Sequence, residues 1–399
     1  MRCKITNSQI NSFMSFGKMP IANAFIKKEE FENEFFFDLE VGFSEKVSLF
    51  QLKDHPSPSQ MFNEKYPFFT GSSETMKLHF KNFSDFIIKN YLKNGSKVIE
   101  VGSNDGTFLE NFKYKKFEYV GFEPSSNVAE LANQKNIFTI NEFFNSDTIE
   151  LAKNFKNATN VIYAANVICH IPDLTNFIKS VDILLKDDGV LIFEEPYFGS
   201  MIEKTSYDQI YDEHIYMFSA TSVKKIFNLF DFELIDAIKQ VTHGGSMRYV
   251  ISRKKKKLIN KNVQIILDEE KRNNIDNIES CLLFKKNCEL SKKIIFDLIK
   301  KFKNEGKKIV GYAATSKSTT ILNYCNIDNK SIDYICDTTK QKIGKYSPGM
   351  HIPIVSIEHF RNDNPDAVYL FAWNHKNEIF KKENLYSSKN INWFSHVTI

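Results

Sequence analysis

The segment from Lys97 to Glu123 constrains the fold more than any other part of the sequence. It begins with KVIEVGSNDGTF, an apolar run that ends in a glycine-containing turn, and the next apolar run, EYVGF, ends just before Glu123. Short apolar runs bounded by turn residues are typical of buried strands. Two such strands in succession, joined through a helix, predict a parallel sheet of the α/β class with a ligand at the first turn.

The turn itself has the residues that a cofactor site requires. Gly102 and Gly106 allow close approach of a ligand to the backbone and positive φ angles. We expect the turn to lead into a helix whose first N–H groups are free. Glu123 ends the next strand, where an acid accepts hydrogen bonds from both ribose hydroxyls of a nucleoside. A glycine-rich turn alone is weak evidence for a cofactor site, but the turn and Glu123 together predict a nucleoside cofactor.

The alternation of strands and helices continues along the chain and favours parallel sheets with helices on both faces. Further strands are predicted at 136–140, 159–165, 189–193, 232–237, 247–252, 307–314, 331–337, 351–356 and 367–373. Helices are predicted at 76–92, 125–134 and 174–185. Before them, stretches such as FFFDLEVGF and VSLFQL lie between polar turns and indicate a small β-rich unit.

These patterns predict an α/β protein of several domains. We expect a small N-terminal β-rich domain over 1–75, a central Rossmann-like domain over 76–257, a long helical connector over 258–305 and a C-terminal Rossmann-like α/β domain over 306–399. The connector is predicted because 258–305 contains no proline and its apolar residues follow a helical spacing.

Charge and cysteine usage exclude several classes. The net charge is only +4 over 399 residues, and lysines alternate with acids, so we expect no nucleic-acid partner. No apolar run is long enough for a membrane helix, and the N-terminus lacks a signal-peptide core. The six cysteines show no paired spacing, which is typical of a reduced, cytoplasmic protein. We expect a monomer or homodimer.

Two motifs resemble class I S-adenosylmethionine-dependent methyltransferases. The run from Glu100 to Gly106 resembles their E-x-G-x-G-x-G pattern, with Asn104 in place of the middle glycine. Asparagine tolerates left-handed backbone better than most residues. The later run ANVICHIPD, which contains Asn166 and His170, resembles the stretch that follows the fourth strand in these enzymes.

Further runs extend the resemblance to essentially the whole chain. In order they are GFEPSSNVAE, FEEPYFG, YDQIYDEHIYMFS, HGGSMRYV, GYAATSKSTTILNYC, CDTTKQKIGKYSPGMHIPI and LFAWNHKNEI. The chain resembles the nucleotide-sugar C-methyltransferase family, typified by C-3 methyltransferases of deoxy-4-keto sugars. The resemblance implies S-adenosylmethionine as cofactor, a nucleotide sugar bound between the last two domains, and a role in deoxysugar or polysaccharide biosynthesis. The implied cofactor residues are Glu100, Gly102, Asn104, Asp105, Gly106, Glu123 and Asn166.

C-methylation next to a ketone needs a base, and His214 in the run Tyr-Asp-Glu-His is the candidate. A neutral imidazole near pH 7 is suited to proton transfer. Glu213 or Asp212 could orient it. The resemblance implies that Tyr211, Glu213, His214 and His170 line the active site. A purely structural role for either histidine stays open.

Substrate-binding residues are predicted in five separate regions of the chain. YPFFTGSS resembles the family's active-site lid, in which Tyr66 remains while Phe68 and Gly71 replace a tyrosine and a serine. Glycines and cationic or hydroxyl groups suit a sugar diphosphate, although a hairpin turn or a capped helix would explain the same residues. The candidates are Tyr66, Tyr216, His243, Ser246, Arg248, Ser316, Lys317 and Asp337.

The N-terminal region departs from the family. The family's first domain binds zinc through two C-x-x-C pairs, but here Cys3 is followed by Thr6, and Ser44 and Val47 occupy the second pair. Tetrahedral zinc needs four good ligands. We therefore expect no metal and a domain held by apolar packing.

The leading hypothesis is methyl transfer from S-adenosylmethionine to a carbon of a nucleotide-linked deoxy-keto sugar, through a histidine base and an enolate. Two alternatives stay open at this point. The same histidine could deprotonate a sugar hydroxyl for O-methylation, or the chain could be a non-catalytic nucleotide-sugar-binding protein.

Overall fold

The computed structural model describes residues 1–64, 66–383 and 391–398. The strands are β1 Ser12–Pro20, β2 Phe36–Ser44, β3 Leu49–Leu52, β4 Lys97–Val101, β5 Glu118–Phe122, β6 Thr139–Ile140, β7 Thr159–Ala165, β8 Leu185–Pro196, β9 Tyr216–Met217, β10 Phe232–Gln240, β11 Ser246–Arg253, β12 Ile309–Tyr312, β13 Ile335–Asp337, β14 Ile354–Ser356, β15 Ala367–Leu370 and β16 Asn392–Phe394. The α-helices are α1 Pro58–Met61, α2 Glu74–Tyr91, α3 Ser126–Gln134, α4 Leu174–Leu184, α5 Phe198–Lys204, α6 Ala220–Asn228, α7 Lys261–Arg272, α8 Ile278–Asn304, α9 Ser316–Cys325, α10 Ile357–Asn362 and α11 Lys376–Lys382.

The strands form three sheets, and the predicted fold class is confirmed. The first sheet has the order β1-β2-β3-β9 and is antiparallel. The second has the order β10-β11-β8-β7-β4-β5-β6, with a parallel part from β8 to β6 and two antiparallel strands at the other edge. The third, β14-β13-β12-β15-β16, is entirely parallel.

The first sheet is not built from the N-terminal residues alone. Its fourth strand, β9, comes from the middle of the chain and pairs with β3. Buried side chains of this sheet, including Phe16, Val41 and Phe50, belong to an apolar cluster that also contains Phe198 and Phe284. The sheet is therefore joined to the central part of the protein by backbone hydrogen bonds as well as by apolar packing.

The four positions of the expected zinc site lie together, but they do not fit a metal. The backbone N–H of Thr6 donates to Sγ of Cys3 over 3.5 Å, and Ser44 is fully buried. Val47 is buried in the same apolar cluster as Cys3. One thiol among these four positions cannot supply the N and S ligands that tetrahedral zinc requires.

The central sheet is covered by α2 through a cluster of aromatic rings. Phe80 and Phe83 of the helix contact Phe108 and Tyr163, and the ring centroids of Phe108 and Tyr163 are 4.2 Å apart. The prediction of a helix directly after Gly106 is wrong, because only a short 3₁₀ turn, Leu109–Phe112, forms there. The Asn111 amide donates to two backbone carbonyls of this turn and competes with helical hydrogen bonding.

The connector consists of two helices rather than one. Asn260 and Asn277 each accept a backbone N–H at the first turn of the helix that follows, so α7 and α8 both begin at an asparagine cap. The polar run at 273–277 separates them. Within the described part of the chain, none of these or the other helices has the length and hydropathy needed to cross a membrane.

The two parallel sheets each have a point where the strand order reverses. In the second sheet β4 has β5 on one side and β7 on the other, and in the third sheet β12 lies between β13 and β15. Ligands of open α/β sheets bind beyond the carboxyl ends of the strands at such points. The fold therefore offers two potential ligand-binding edges.

The first testable prediction concerns the N-terminal region. Purified protein should contain well under one zinc per chain, and a chelator should leave its midpoint of thermal unfolding unchanged, because packing and hydrogen bonds replace the metal ligands. Elemental analysis and calorimetry with and without chelator measure both quantities. A stoichiometric zinc that resists the chelator would contradict the assignment of Thr6, Ser44 and Val47 to the ligand positions.

Candidate active site

A cavity of about 1350 Å³ joins the two strand-order reversals. One part is lined by residues that follow β4, β5 and β7, such as Gly102, Glu123 and Asn166. The other part is lined by residues that follow β12, β13 and β15, such as Lys317 and Asn374. This volume exceeds that of a typical single-ligand pocket. It suits two ligands bound side by side.

Glu123 and the loop after β4 form a cradle. Gly102 has a φ of +68°, and a Cβ there would lie 2.4 Å from Cγ2 of Val167, so glycine is required for space as well as conformation. Glu123 accepts the N–H groups of Asn104 (3.0 Å) and Ser125 (2.8 Å). Burial raises the pKa of the Glu123 carboxyl, and these two hydrogen bonds partly offset the rise.

The contacts of Asn104 show why asparagine occupies the position of the middle glycine. It has a φ of +48°, its Oδ1 accepts the N–H of Thr70 over 2.9 Å, and its Nδ2 donates to the carbonyl of Phe68 over 3.1 Å. Asp105 accepts the N–H of Gly71 over 2.9 Å. The side chains of Asn104 and Asp105, in the loop after β4, thus hold the segment 68–71 by hydrogen bonds. This segment belongs to the run that resembles the family's lid, and its residues Phe68 and Thr70 line the cavity.

The turn after β7 carries His170 and is held by Glu195. One carboxylate oxygen of Glu195 accepts the N–H groups of three successive residues, the shortest being that of Ile168 at 2.7 Å. The His170 ring stacks between Phe62 and His214, with centroid distances of 5.5 and 5.3 Å. Burial lowers the pKa of His170 to about 3, so its imidazole is neutral.

His214 is held in one tautomer. Its Nδ1 lies 2.7 Å from the backbone oxygen of Gln209, which can only accept, so Nδ1 carries the proton. Its Nε2 is then the acceptor and lies 2.8 Å from the Tyr211 hydroxyl. Burial, together with the neighbouring His170, lowers the pKa of His214 well below its usual value. The imidazole is therefore neutral, and the lone pair of its Nε2 faces a phenol.

Asp212 and Glu213 are buried, and neither is among the hydrogen-bond partners of the His214 ring. Asp212 accepts the N–H of Ala22 over 2.9 Å, and Glu213 accepts the amide of Asn23 over 2.6 Å. The expectation that one of the two acids orients His214 is therefore wrong, since the Gln209 carbonyl does so. Burial raises the pKa of both carboxyls, and the Asp212 charge adds to the rise for Glu213.

Two lysines, the buried Lys317 and the half-buried Lys342, line the C-terminal end of the cavity. Lys317 lies in the first turn of α9, and Lys342 donates to the carbonyl of Ala314 over 2.7 Å. Burial lowers the pKa of both ammonium groups. Asp337 also lines the cavity, but its two oxygens accept backbone N–H groups of Ala314 and Thr339, so it shapes the loop.

The His243 turn connects the two ends of the cavity. His243 has a φ of +53°, and its ring lies 3.0 Å from the Asn166 amide. Its backbone oxygen accepts from the Gln209 side chain over 2.6 Å. A Cβ on Gly244 would lie 2.2 Å from the Trp373 ring, so glycine is required for close packing there. Burial, assisted by Lys317, lowers the pKa of His243 to about 3.

The predicted site residues divide into two groups. Those that line the cavity are Tyr66, Gly102, Asn104, Glu123, Asn166, His170, Tyr211, Glu213, His214, His243, Ser316, Lys317 and Asp337. Those that do not line it are Glu100, Asp105, Gly106, Tyr216, Ser246 and Arg248.

The second group needs correction, because each member has a structural partner. The Tyr216 hydroxyl donates to the Pro172 carbonyl over 2.8 Å, and the Ser246 hydroxyl donates to that of Thr242 over 3.0 Å. Gly106 meets Ile137, with 3.1 Å between a built Cβ and that side chain.

The charged members of this group are Glu100, Asp105 and Arg248, and Asp105 accepts the N–H of Gly71 as described above. Arg248 is paired with Glu194 over 2.5 Å, and its guanidinium lies 3.6 Å from the centroid of the Phe83 ring, so it is not available to a phosphate. Glu100 lies beneath the cofactor loop, and burial raises the pKa of its carboxyl well above the usual range.

One group of potential metal ligands lies in the cavity wall within the described residues. Sγ of Cys169 and ring nitrogens of His170 and His214 lie within 4.8 Å of one another. Burial, with the Glu195 charge, keeps the pKa of the Cys169 thiol well above its usual value. Both His214 nitrogens have hydrogen-bond partners. We assign no metal to this group.

Sequence reasoning missed Asn23, Lys342 and Glu195. Lys342 lies within the quoted run CDTTKQKIGKYSPG, so the signal was present but not assigned. Asn23 lies in a loop between β1 and β2 and has no motif that signals chemistry. Glu195 resembles any acid at the end of a strand until its three N–H donors are seen.

Models of known protein families match three consecutive parts of the chain. Family models match at residues 3–62 ("Putative zinc binding domain"), 77–237 ("Methyltransferase domain") and 241–397 ("C-methyltransferase C-terminal domain"). The C-methyltransferase NovU of Streptomyces niveus is 28% identical over 93% of this chain and 89% of its own length. The carboxy-S-adenosyl-L-methionine synthase of Nautilia profundicola is 28% identical over 45% of this chain and 70% of its own.

Solved structures are more distant. The PH0226 protein of Pyrococcus horikoshii is 16% identical, with a TM-score of 0.38 over 47% of this chain and 95% of that one. An S-adenosylmethionine-dependent methyltransferase of Clostridium acetobutylicum is 13% identical, with a TM-score of 0.35 over 46% of this chain and 93% of that one.

The chain belongs to the class I S-adenosylmethionine-dependent methyltransferases. Within this class it is a C-methyltransferase, similar to NovU over nearly its whole length. The cradle fits the cofactor, because Gly102 leaves space for a close ligand and Glu123 presents a buried carboxylate to it.

The second prediction tests Glu123. Replacing it by alanine should lower the affinity for S-adenosylhomocysteine about ten- to a hundredfold, since charge-assisted hydrogen bonds of roughly 1.5–3 kcal/mol are lost. Calorimetry measures this, with Glu123→Gln as the variant that keeps the size. Glu118→Gln, on the exposed end of the same strand, is the control. Wild-type affinity in both Glu123 variants would remove this residue from the cofactor site.

Proposed function

We propose that the protein transfers the methyl group of S-adenosylmethionine to a carbon of a nucleotide-linked deoxy-keto sugar. The observation that carries this proposal is the order of groups along the cavity. Glu123, the proposed ribose-binding acid, lines the part beyond β4, β5 and β7, and Lys317 and Lys342 line the other part. His214 stacks on His170 of the first part, and the charge of Lys317 acts on its ring. A nucleotide sugar has its anionic diphosphate beside the sugar, as this order requires.

The cationic end suits a diphosphate. Lys317 lies in the first turn of α9, and Lys342 donates to the carbonyl of Ala314 just before it, so two ammonium groups lie near a helix N-terminus, which itself favours an anion. Their pKa values are lowered by burial, so an anion that enters would stabilise their charged forms. The resemblance to nucleotide-sugar enzymes supports the same ligand.

His214 is the proposed base. Its Nε2 would take the proton from the carbon next to the ketone, and the electrons of the broken C–H bond would move to the ketone oxygen as an enolate. When bound, S-adenosylmethionine would supply an electrophilic methyl group: the enolate carbon would form the new C–C bond as the methyl–sulfur bond breaks, with its electron pair left on sulfur and S-adenosylhomocysteine as the product. The protein contributes position and proton transfer. The pKa of His214 is low, and its tautomer already presents Nε2 as acceptor.

Tyr211 and His170 are proposed to contact the substrate oxygen. The Tyr211 hydroxyl is hydrogen-bonded to Nε2 of His214. When the substrate carbon approaches Nε2, this hydroxyl would turn and donate to the ketone oxygen instead. Nε2 of His170 is buried without a partner among the described residues and lines the same cavity. A buried polar atom without a partner is costly, and a substrate hydroxyl or ketone would satisfy it.

The third prediction is a test of the base. With substrate and S-adenosylhomocysteine, but no methyl donor, the wild-type enzyme should exchange the proton next to the ketone for deuterium in heavy water. His214→Asn should slow both exchange and methylation by roughly 10²–10⁴-fold, because general-base catalysis is lost. NMR of a panel of nucleotide-linked keto sugars measures both, and the product carbon shift separates C–CH₃ from O–CH₃.

The exposed His359→Asn is the matched control and should behave as wild type. Loss of methylation in His214→Asn with exchange intact would assign the base elsewhere, with His170 the first candidate. Full activity in His214→Asn would refute the mechanism, and an O–CH₃ product would refute a keto-sugar carbon as acceptor.

The fourth prediction concerns Lys317. Its replacement by methionine should weaken binding of the nucleotide sugar about ten- to a hundredfold, since a hydrogen bond to a charged group is worth roughly 1.5–3 kcal/mol. Binding of S-adenosylhomocysteine should not change. Calorimetry with each ligand separates the two, and exposed Lys330→Met serves as control. Equal affinity of Lys317→Met and wild type for the nucleotide sugar would place the diphosphate elsewhere.

A further inference from the structure

The N-terminal region reaches into the active site through one short segment. The loop between β1 and β2 brings Ala22 and Asn23 against the buried acids Asp212 and Glu213, and Asn23 itself lines the cavity. The backbone N–H of Ala22 donates to Oδ1 of Asp212 over 2.9 Å, and the side-chain amide of Asn23 donates to Oε1 of Glu213 over 2.6 Å. Two adjacent residues therefore bind two adjacent carboxyls.

This segment is itself held in place. The Thr319 hydroxyl in α9 donates to the carbonyl of Ala22 over 2.9 Å, and the Lys342 ammonium lies 4.8 Å from the Phe25 ring centroid. The Asn23 amide is thus a fixed donor rather than a mobile surface group. Its position depends on contacts with the C-terminal sheet region as well as on its own loop.

The hydrogen bond from Asn23 occupies one oxygen of Glu213. In the described part of the chain, the other oxygen, Oε2, accepts no hydrogen bond, although Glu213 lines the cavity. We infer that Asn23 is a positioning residue of the active site, which fixes the Glu213 carboxyl so that Oε2 contacts a substrate oxygen. This inference rests on the proposed function for the identity of that substrate.

The amide of Asn23 also biases the charge of Glu213. An N–H donor stabilises the ionised carboxylate and so opposes the rise in pKa that burial and Asp212 cause. The other titratable groups that face Glu213 are Asp212, Lys342, Tyr66, Tyr211 and Cys169. Of these, Lys342 alone also favours the ionised form. Removal of the Asn23 amide should therefore raise the pKa of Glu213.

The fifth prediction uses Asn23→Ala and Asn23→Asp. Asn23→Ala should lower kcat about 10–100-fold through a misplaced carboxyl. It should also move the limb of the pH–rate profile that belongs to Glu213 upward by about one to two pH units, which is the value of a hydrogen bond to a charged group. Asn23→Asp has the same size but adds a negative charge, so it should move this limb at least as far.

A second measurement does not need turnover. Carbon-13 NMR of protein labelled at the glutamate carboxyls, with Glu213 assigned through Glu213→Gln, should show the same upward shift of its titration in Asn23→Ala. Exposed Asn33→Ala, in the same loop, is the control and should leave profile, titration and unfolding temperature unchanged. Affinity for S-adenosylhomocysteine should stay at the wild-type value in all these variants.

The outcomes separate the possible roles. An unchanged Glu213 titration in Asn23→Ala would overturn the inference, as would a uniform loss of rate with a lower unfolding temperature and an unmoved pH limb. If the wild-type enzyme methylates no keto sugar, the proposed function fails. The NMR titration then still decides whether Asn23 controls Glu213.

Discussion

The loop from Asp208 to His214 is the part of the protein on which the active site depends, because hydrogen bonds from distant regions fix it. A buried loop without regular structure must have its polar groups satisfied by other segments. The donors are the Trp373 indole to Asp208, the Thr320 hydroxyl to the Ile210 carbonyl, the Ala22 N–H to Asp212 and the Asn23 amide to Glu213. The methyltransferase sheet alone would leave this loop without those partners. It follows that the position of this loop depends on the N-terminal and C-terminal regions as well as on the central sheet.

Burial also determines the charge states within this loop. Low-dielectric surroundings disfavour every charged form, so the pKa values of His170, His214 and His243 fall while those of Asp212 and Glu213 rise. The interior is therefore closer to neutral than its composition indicates. His214 is therefore unprotonated, which is the state that its proposed role as a base requires.

The sequence predicted the parallel strands well and the first sheet poorly. Strands such as Lys97–Val101 are buried on both faces, so they read as continuous apolar runs with turn residues at each end. The strand Ser12–Pro20 was missed, because it is partly exposed and its pairing with its neighbour shifts register near Gly17. Periodicity does not survive such an irregularity.

Residues that line the cavity were predictable where their own motif signals them, as for Gly102, Glu123 and His214. The hydrogen bonds from distant regions that hold the loop of His214 were not predictable. Arg248 was misassigned because its partner, Glu194, lies opposite it on the neighbouring strand, a pairing that only the sheet register reveals. Asn23 could not be found for the same reason, since its chemistry comes entirely from the carboxyl of Glu213, far along the chain.

The position of Lys317 links substrate binding to the strength of the base. Its charge is one of the causes that lower the pKa of His214, and burial in turn lowers the pKa of Lys317. In the proposed complex a diphosphate would stabilise the ammonium of Lys317 and offset its effect on His214, because opposite charges compensate over short distances. The pKa of His214 would then rise, while burial and His170, the larger causes of its low value, stay in place. A free sugar would bring no such compensation, so the nucleotide part of the substrate would contribute to proton transfer as well as to binding.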